Sequence, residues 1–210
     1  MDIELLLSFI IATAALAISP GPDNIYVLLQ SLVHGRKFGL ATVAGLITGC
    51  LVHTTLVAFG VSIIIKANDV LFFSLKLIGA AYLIFLSYKV YQSKSDLNLK
   101  SDNIPKKTVP QLFKQGFIMN VVNPKVSIFF LAFFPGFLFS DSISNVLQFY
   151  ILGFIFMSVS AVIFSVIALL AGSISKFVKQ SSKIGVLLKY LQILVFLGIA
   201  LIILFSGNGY

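Results

Sequence analysis

Apolar runs long enough to cross a bilayer follow one another along this chain. A spanning helix needs about 20 mainly apolar residues to cross roughly 30 Å of hydrocarbon. No charge falls between Leu5 and Pro22, and beyond Asp23 the apolar pattern resumes as far as Val33. Phe38 to Ile65 is uncharged apart from His53. Val70 to Tyr88 is interrupted only by Lys76, whose long side chain can reach the interface. After a polar stretch, Gln92 to Gln111, come Leu112 to Phe139, Ser142 to Ser175 and Tyr190 to Phe205. The pattern predicts an all-α polytopic membrane protein of six transmembrane helices, folded as a single transmembrane domain over 1–210. The small residues Ala12 to Ala17 imitate a signal-peptide cleavage site, but Asp2 and Glu4 stand where such a peptide carries positive charge. The first span is therefore read as retained.

Composition agrees with this reading. Hydrophobic residues make up 59% of the chain and charged ones 10%, with a mean hydropathy of +1.05. Soluble domains run about 45–50% apolar and about 25% charged, so a water-soluble globule and a disordered chain are both excluded. The net charge of +8 comes from fifteen basic residues scattered between apolar runs, a distribution that does not suit nucleic acid. They sort by side of the membrane instead. Arg36 and Lys37 follow the first span. Lys89, Lys94, Lys100, Lys106, Lys107 and Lys114 follow the third, and Lys176, Lys179, Lys183 and Lys189 the fifth. Twelve of the fifteen thus share one side of a six-span topology. Asp2, Glu4, Asp69 and Asp141 take the other, with Lys66 and Lys76. Positive residues stay cytoplasmic, which places both termini outside the cytoplasm and the basic loops beside anionic inner-leaflet lipid. Cys50 is the only cysteine, so no intramolecular disulfide can form.

The polar stretch divides the chain into repeat 1 (about 1–91), a cytoplasmic connector (about 92–111) and repeat 2 (about 112–210). Three spans is an odd number, so the second half enters the membrane in the opposite sense, as in the inverted repeats of secondary transporters. Each half has its first span broken by proline: Ser19-Pro20-Gly21-Pro22-Asp23-Asn24 in the first helix, and Asn120-Val121-Val122-Asn123-Pro124-Lys125 in the fourth. Ser19 before Pro20 and Asn123 before Pro124 read as N-caps with proline at the first helical position. Such breaks free main-chain carbonyls and N–H groups, which survive at membrane depth only when buried in protein or lining a wet cavity. One reading is a pair of packing kinks. The other is a substrate site, because half-helix N-termini favour an anion and freed carbonyls favour an ammonium group. A midplane site offering both suits a small zwitterion such as an amino acid.

The candidate substrate-binding residues are therefore Ser19, Pro20, Gly21, Pro22, Asp23, Asn24, His53, Asn120, Asn123, Pro124 and Lys125. Asp23 is the acidic residue inside a span, where a charge is costly. It is open to binding a substrate amine, to carrying a proton, or to capping the half-helix near Asn24. Lys125 is open to pairing with Asp23, to meeting a carboxylate, or to reaching back to the cytoplasmic surface. His53 shares a helix face with Gly45 and Gly49 at intervals of four, and is the second proton-coupling candidate. Gly45, Gly49 and Gly79 read as packing positions, the first two also as a G-x-x-x-G face on which a homodimer could form. The run Phe129-Phe130 to Phe133-Phe134-Pro135 reads as packing against helices and lipid. No hydrolase, metalloprotease or phosphate-binding motif occurs, so no catalytic residue, metal or cofactor is expected, and pumping must draw on an ion gradient.

Four segments carry a resemblance to a known family: Ser19-Pro20-Gly21-Pro22-Asp23; Gly45, Gly49 and His53 after Gly35-Arg36-Lys37; Gly79-Ala80-Ala81-Tyr82-Leu83; and Asn123-Pro124-Lys125 before an aromatic-rich run. Together they resemble the LysE/RhtB superfamily, in its homoserine, threonine and leucine exporter branch of bacterial inner membranes. The resemblance implies export of amino acids or close derivatives driven by the proton motive force, with family motifs falling on Ser19 to Asn24 and on Asn123 to Lys125. It does not identify the cargo. A passive channel for a small solute or ion, or a non-catalytic membrane subunit, is the alternative.

Overall fold

The structure, a computed structural model, describes residues 3–67, 69–93, 105–140, 142–180 and 182–205. Among these no strand occurs. The helices are α1 (Ile3–Ile18), α2 (Pro22–His34), α3 (Arg36–Leu56), α4 (Ser62–Ala67), α5 (Asp69–Gln92), α6 (Val109–Val121), α7 (Pro124–Ile128), α8 (Asn145–Leu169), α9 (Ala171–Gln180) and α10 (Ser182–Phe205). A π-helical turn, Val57–Val61, joins α3 to α4. A second, Phe129–Phe133, extends α7 into a 3₁₀ turn at Phe134–Phe137. Four helices are long and apolar enough to span a membrane alone: Arg36–Ile64, Val70–Gln92, Asn145–Leu169 and Gly185–Phe205. The α1/α2 pair bends by 59° at its break, and α6 with the α7 segment by 49°. Counting each bent pair as one span gives the expected six, with the first and fourth broken.

Some boundaries differ from the hydropathy reading. The fifth span stops at Leu169, where Leu170 takes a non-helical turn, and α9 follows as a separate helix with Ala171 and Ser175 buried and Lys176 exposed. The sixth begins at Ser182 rather than Tyr190, because Lys183 and Lys189 are good helix formers despite their charge. The fourth begins at Val109, capped by Thr108: its hydroxyl accepts from the Gln111 N–H at 3.4 Å, and the Thr108 N–H donates to Gln111 Oε1 at 2.9 Å. Of the charges used for topology, Asp2, Lys94, Lys100 and Asp141 lie outside the described residues, as do the side chains of Lys66, Asp69, Lys179 and Lys183.

Packing has an exchange symmetry. The first span of the second half, α6, runs along the second span of the first half, α3. Likewise α1 and α2 run along α8, and α5 pairs with α10. Swapping the two halves exchanges the α3–α6 pairing with that of α1 and α2 on α8 and leaves α5–α10 in place, whereas the contact of α2 with α3 has no comparable counterpart in the second half. The α3–α6 approach depends on glycine. A β-carbon on Gly45 would run into the Phe113 carbonyl oxygen, and one on Gly116 into the Thr42 carbonyl oxygen. A β-carbon on Gly49 would stand 2.8 Å from the Asn120 β-carbon. Gly45 and Gly49 are thus occupied within the fold and offer no face to a second copy. Gly79 on α5 similarly admits the Ala132 side chain.

A core of phenylalanine fills the half of the molecule that holds the 138–140 loop. Phe9, Phe129, Phe130, Phe133, Phe134, Phe137 and Phe156 are all buried, with centroids 4.1 Å apart for Phe130–Phe134 and 4.8 Å for Phe130–Phe156. These rings face one another rather than lipid. The loop itself is tied down by Gln148, fully buried on α8. Its Oε1 accepts from the N–H of Phe139 at 2.7 Å and of Ser140 at 3.0 Å. Its amide donates to the carbonyls of Ser140 at 2.7 Å and Ile143 at 2.8 Å. Gln148→Leu removes all four bonds and strands main-chain groups in apolar surroundings. We expect it to destabilise the fold by about 2–4 kcal/mol, read as a lower thermal midpoint in detergent. An unchanged midpoint would mean that apolar packing alone holds this loop.

Candidate functional site

The first break begins where α1 runs out of partners. Ser19 closes the last turn, its N–H donating to the Ala15 carbonyl at 3.0 Å. Gly21 is extended (φ −161°, ψ 178°) and is the N-cap of α2, with Pro22 at the first helical position. The expected cap, Ser19 before Pro20, is not used. A residue before proline is pushed out of the helical region, so with prolines at both 20 and 22 the helix can restart only at Pro22. The second break follows its sequence more closely. Asn123 caps α7, its Oδ1 accepting from the Lys125 N–H at 3.0 Å, with Pro124 next.

Each break is completed by side chains from elsewhere. The Lys125 ammonium donates to the carbonyls of Leu16 at 2.9 Å and Ser19 at 3.0 Å, and the Asn24 amide donates to the Ala17 carbonyl at 2.7 Å. The freed C-terminus of α1, the negative end of its dipole, thus meets a cation from the other half. Reciprocally, Asp23 Oδ2 accepts from the Asn123 amide at 2.8 Å. The C-terminal turn of α6 is held by His53, 3.1 Å from the Asn120 carbonyl through Nε2. A carbonyl only accepts, so Nε2 carries the proton of that bond. The His53 ring also packs on Phe130, with centroids 5.5 Å apart. Lys125 therefore neither reaches a membrane surface nor pairs directly with Asp23: its hydrogen bonds go to α1.

Between the breaks lies a small cavity of about 30 Å³. Gly21, Pro22, Asp23, Asn24, Asn120, Asn123 and Lys125 line it, together with Leu16, Ala17 and Val126. Of the predicted residues, Ser19, Pro20, His53 and Pro124 do not; His53 supports the wall from behind through the Asn120 carbonyl. Seven lining residues were not among the candidates: Leu16, Ala17 and Val126 beside the breaks, Cys50 on α3, and Phe156, Ser160 and Phe164 on α8. The last three recur at intervals of four, one helix stripe, yet α8 is apolar on every side and no periodicity marks the stripe. Among the described residues no cluster of three metal-ligating side chains occurs.

The two ends of the cavity differ. Toward the loop end stands the phenylalanine core, beginning with Phe156 itself. Toward the basic end a groove of about 220 Å³ opens between α2, α5 and α10, lined by Ile25, Val90, Leu188 and Gln192 among others. At its mouth Lys189 donates to the Ser93 carbonyl at 2.7 Å. Gly21 and Pro22 line both spaces, so they form the partition between them.

The chain whose two proline-broken helices meet around this small cavity has relatives among known proteins. Residues 14–207 match the model of the LysE type translocator family. The chain belongs to the LysE family of translocators. A homoserine/homoserine lactone efflux protein of Salmonella typhimurium is 30% identical over 189 residues, covering 90% of this chain and 91% of the relative. A leucine efflux protein of Klebsiella pneumoniae is 27% identical over 194 residues, covering 92% of each. An uncharacterised membrane protein of Bacillus subtilis is 33% identical over 141 residues, covering 63% of this chain and 67% of the relative. No solved structure matches the chain.

In this LysE-family chain the partition at Gly21 is testable. Its extended backbone suits any residue, and a β-carbon there would find nothing nearer than the Lys125 ammonium at 3.8 Å and the Ser19 carbonyl oxygen at 3.9 Å. Gly21→Ala should fold and transport normally. Gly21→Leu should fold with a similar melting point yet lose transport by about tenfold or more, the effect of about 1.4 kcal/mol on a barrier. Normal transport by Gly21→Leu in liposomes would mean that the two spaces are not consecutive parts of one path.

Proposed function

We propose that this protein exports amino acids or close derivatives from the bacterial cytoplasm by exchange for protons. The observation that carries the reading is the reciprocal bridging of the two breaks: an acid, a cation and the ends of two half-helices are held together in one cavity. A carboxylate suits the half-helix N-termini and the Lys125 ammonium, and an α-ammonium suits Asp23. The efflux functions named for the Salmonella and Klebsiella relatives support the direction and the substrate class.

In this reading the basic ends of the helices lie in the cytoplasm of an inner-membrane protein and both termini lie outside. The groove between α2, α5 and α10 is then the cytoplasmic approach, and the phenylalanine core closes the path outward. Export requires the core to part while the groove closes, by rocking one repeat against the other. Asp23 is the proton-coupling group, its release of Asn123 making room for substrate. His53 acts as a positioning residue.

The test is counterflow in proteoliposomes, preloading each common amino acid and adding labelled substrate outside, with and without an imposed pH gradient. Saturable exchange that the gradient accelerates is expected. Asp23→Asn should lower gradient-driven export by at least about tenfold. Gradient-driven efflux unchanged in that variant would remove Asp23 from the coupling mechanism, and flux without saturation or counterflow would mark a channel.

A further inference from the structure

Among the described residues nine buried side-chain polar atoms have no hydrogen-bond partner, and four of them belong to α2: Tyr26 Oη, Gln30 Oε1, Ser31 Oγ and His34 Nε2. Every other helix holds at most one. Three of the four fall into line with Asp23. Tyr26, Gln30 and His34 follow it at intervals of three, four and four, which puts all of them on one face of the helix. This face starts at the central cavity, which Asp23 lines, and ends at His34 in the last turn, just before Arg36 and Lys37. Eleven residues at about 1.5 Å each make about 16 Å, close to half of the roughly 30 Å hydrocarbon thickness. A file of polar groups thus joins the middle of the membrane to its basic side.

The file runs through protein rather than along lipid. Gln30 is 1% exposed, and Tyr26 and His34 are partly buried. Val27 flanks it, packed with Val43 and Leu46 of α3. The Ser31 hydroxyl lies against Gly39 of α3, where a β-carbon would collide with it. Buried polar atoms without a protein partner are met by water wherever there is room for it, and the central cavity of about 30 Å³ has room at the Asp23 end. From Asn24 to Val33 the helix carries no charged side chain that would trap or repel a proton. Substrate approaches from the other side. Ile25, two residues on from Asp23 and so on the opposite face, lines the groove between α2, α5 and α10.

We propose that water held along this face by Tyr26, Gln30 and His34 forms a proton path between Asp23 and the cytoplasm, separate from the substrate path through the groove. The proposal rests on the proton-exchange reading above and deepens it by giving the proton its route. In export by exchange, protons enter as substrate leaves, so Asp23 must release its proton to the cytoplasm before the next substrate binds. The Asp23 carboxyl passes that proton to the first water, each water hands one on, and one proton leaves past His34; the carboxylate stays behind. The Tyr26 hydroxyl both donates and accepts, whereas Gln30 Oε1 only accepts. Gln30 is therefore a positioning residue, which fixes water between Tyr26 and His34.

The experiment compares two activities of the full chain in proteoliposomes, with homoserine and each common amino acid labelled in turn. Counterflow at equal pH exchanges substrate for substrate and needs no proton release; export driven by an imposed pH gradient does. Gln30→Met keeps the length of the side chain and removes its oxygen. It should leave counterflow within about twofold of the wild type, with an equal or higher melting point, and lower gradient-driven export by about tenfold or more. A pH dye trapped in the liposomes should report the same loss of substrate-linked proton movement. Gln30→Glu, which restores the oxygen, should recover most of it. Tyr26→Phe removes one hydroxyl and should lower gradient-driven export alone by about threefold or more; it carries the test if Gln30→Met does not fold. Gradient-driven export unchanged in Gln30→Met, or both activities slowed alike, overturns the proposal and leaves proton-exchange export standing. So does a loss that Gln30→Glu fails to recover. If the wild type exchanges an amino acid that no gradient accelerates, or if folded, inserted protein exchanges none, the reading beneath the proposal fails and the proposal falls with it.

Discussion

A helix cannot stop inside a bilayer without something to meet its last carbonyls and its first N–H groups, and the rest of this structure depends on how that demand is met. Proline breaks the first span at Pro20 and Pro22 and the fourth at Pro124, leaving main-chain groups open where no bulk water competes. The Lys125 ammonium on the carbonyls of Leu16 and Ser19, Asn24 on Ala17 and His53 on Asn120 meet the carbonyl side. Asn123 joins the two breaks by donating to Asp23. Neither break is complete without the other half of the chain. The site is accordingly an interface between the two halves of the chain, and relative motion of the halves would alter it.

That dependence connects the site to the asymmetry around it. One side of the cavity is a dry stack of aromatic rings, with Phe129, Phe130 and Phe133 on a π-helical turn and Phe134 on the 3₁₀ turn that follows. A π-turn carries an extra residue relative to an α-helix and is frequent at functional sites. The second, at Val57–Val61, lies in the span that also carries His53, and the two turns touch. The other side is a groove reaching toward the basic helix ends. A glycine with no conformational reason to be glycine stands between groove and cavity.

Much of this was legible in the residues, for identifiable reasons. Proline, a charge in an apolar run and the sorting of lysines by side are strong local signals, so the six spans, their two breaks and Asp23, Asn123 and Lys125 stand out. What stayed hidden is relational. Ser19 looks like a cap until the restriction that Pro22 places on Gly21 is considered. Lys125 has three partners that charge alone allows, and only packing sends it to α1. His53 shares a helix face with two glycines, yet its ring turns to a carbonyl rather than into the cavity. The stripe of Phe156, Ser160 and Phe164 lies on a helix apolar all round, and a single hydroxyl there carries no sequence signal. Gln148 was not singled out because a lone glutamine near a helix start looks like a surface residue, whereas it is fully buried.

The central claim is that substrate occupies the space between the two breaks, exchanging protein partners for its own charges. The most direct measurement is an experimental structure in a lipid environment with an exported amino acid bound. The account predicts density within the cavity, with the α-ammonium at Asp23 in place of the Asn123 amide and the carboxylate toward Lys125 and the first turns of α2 and α7. Density confined to the groove between α5 and α10, with the Asp23–Asn123 bond intact, would contradict it.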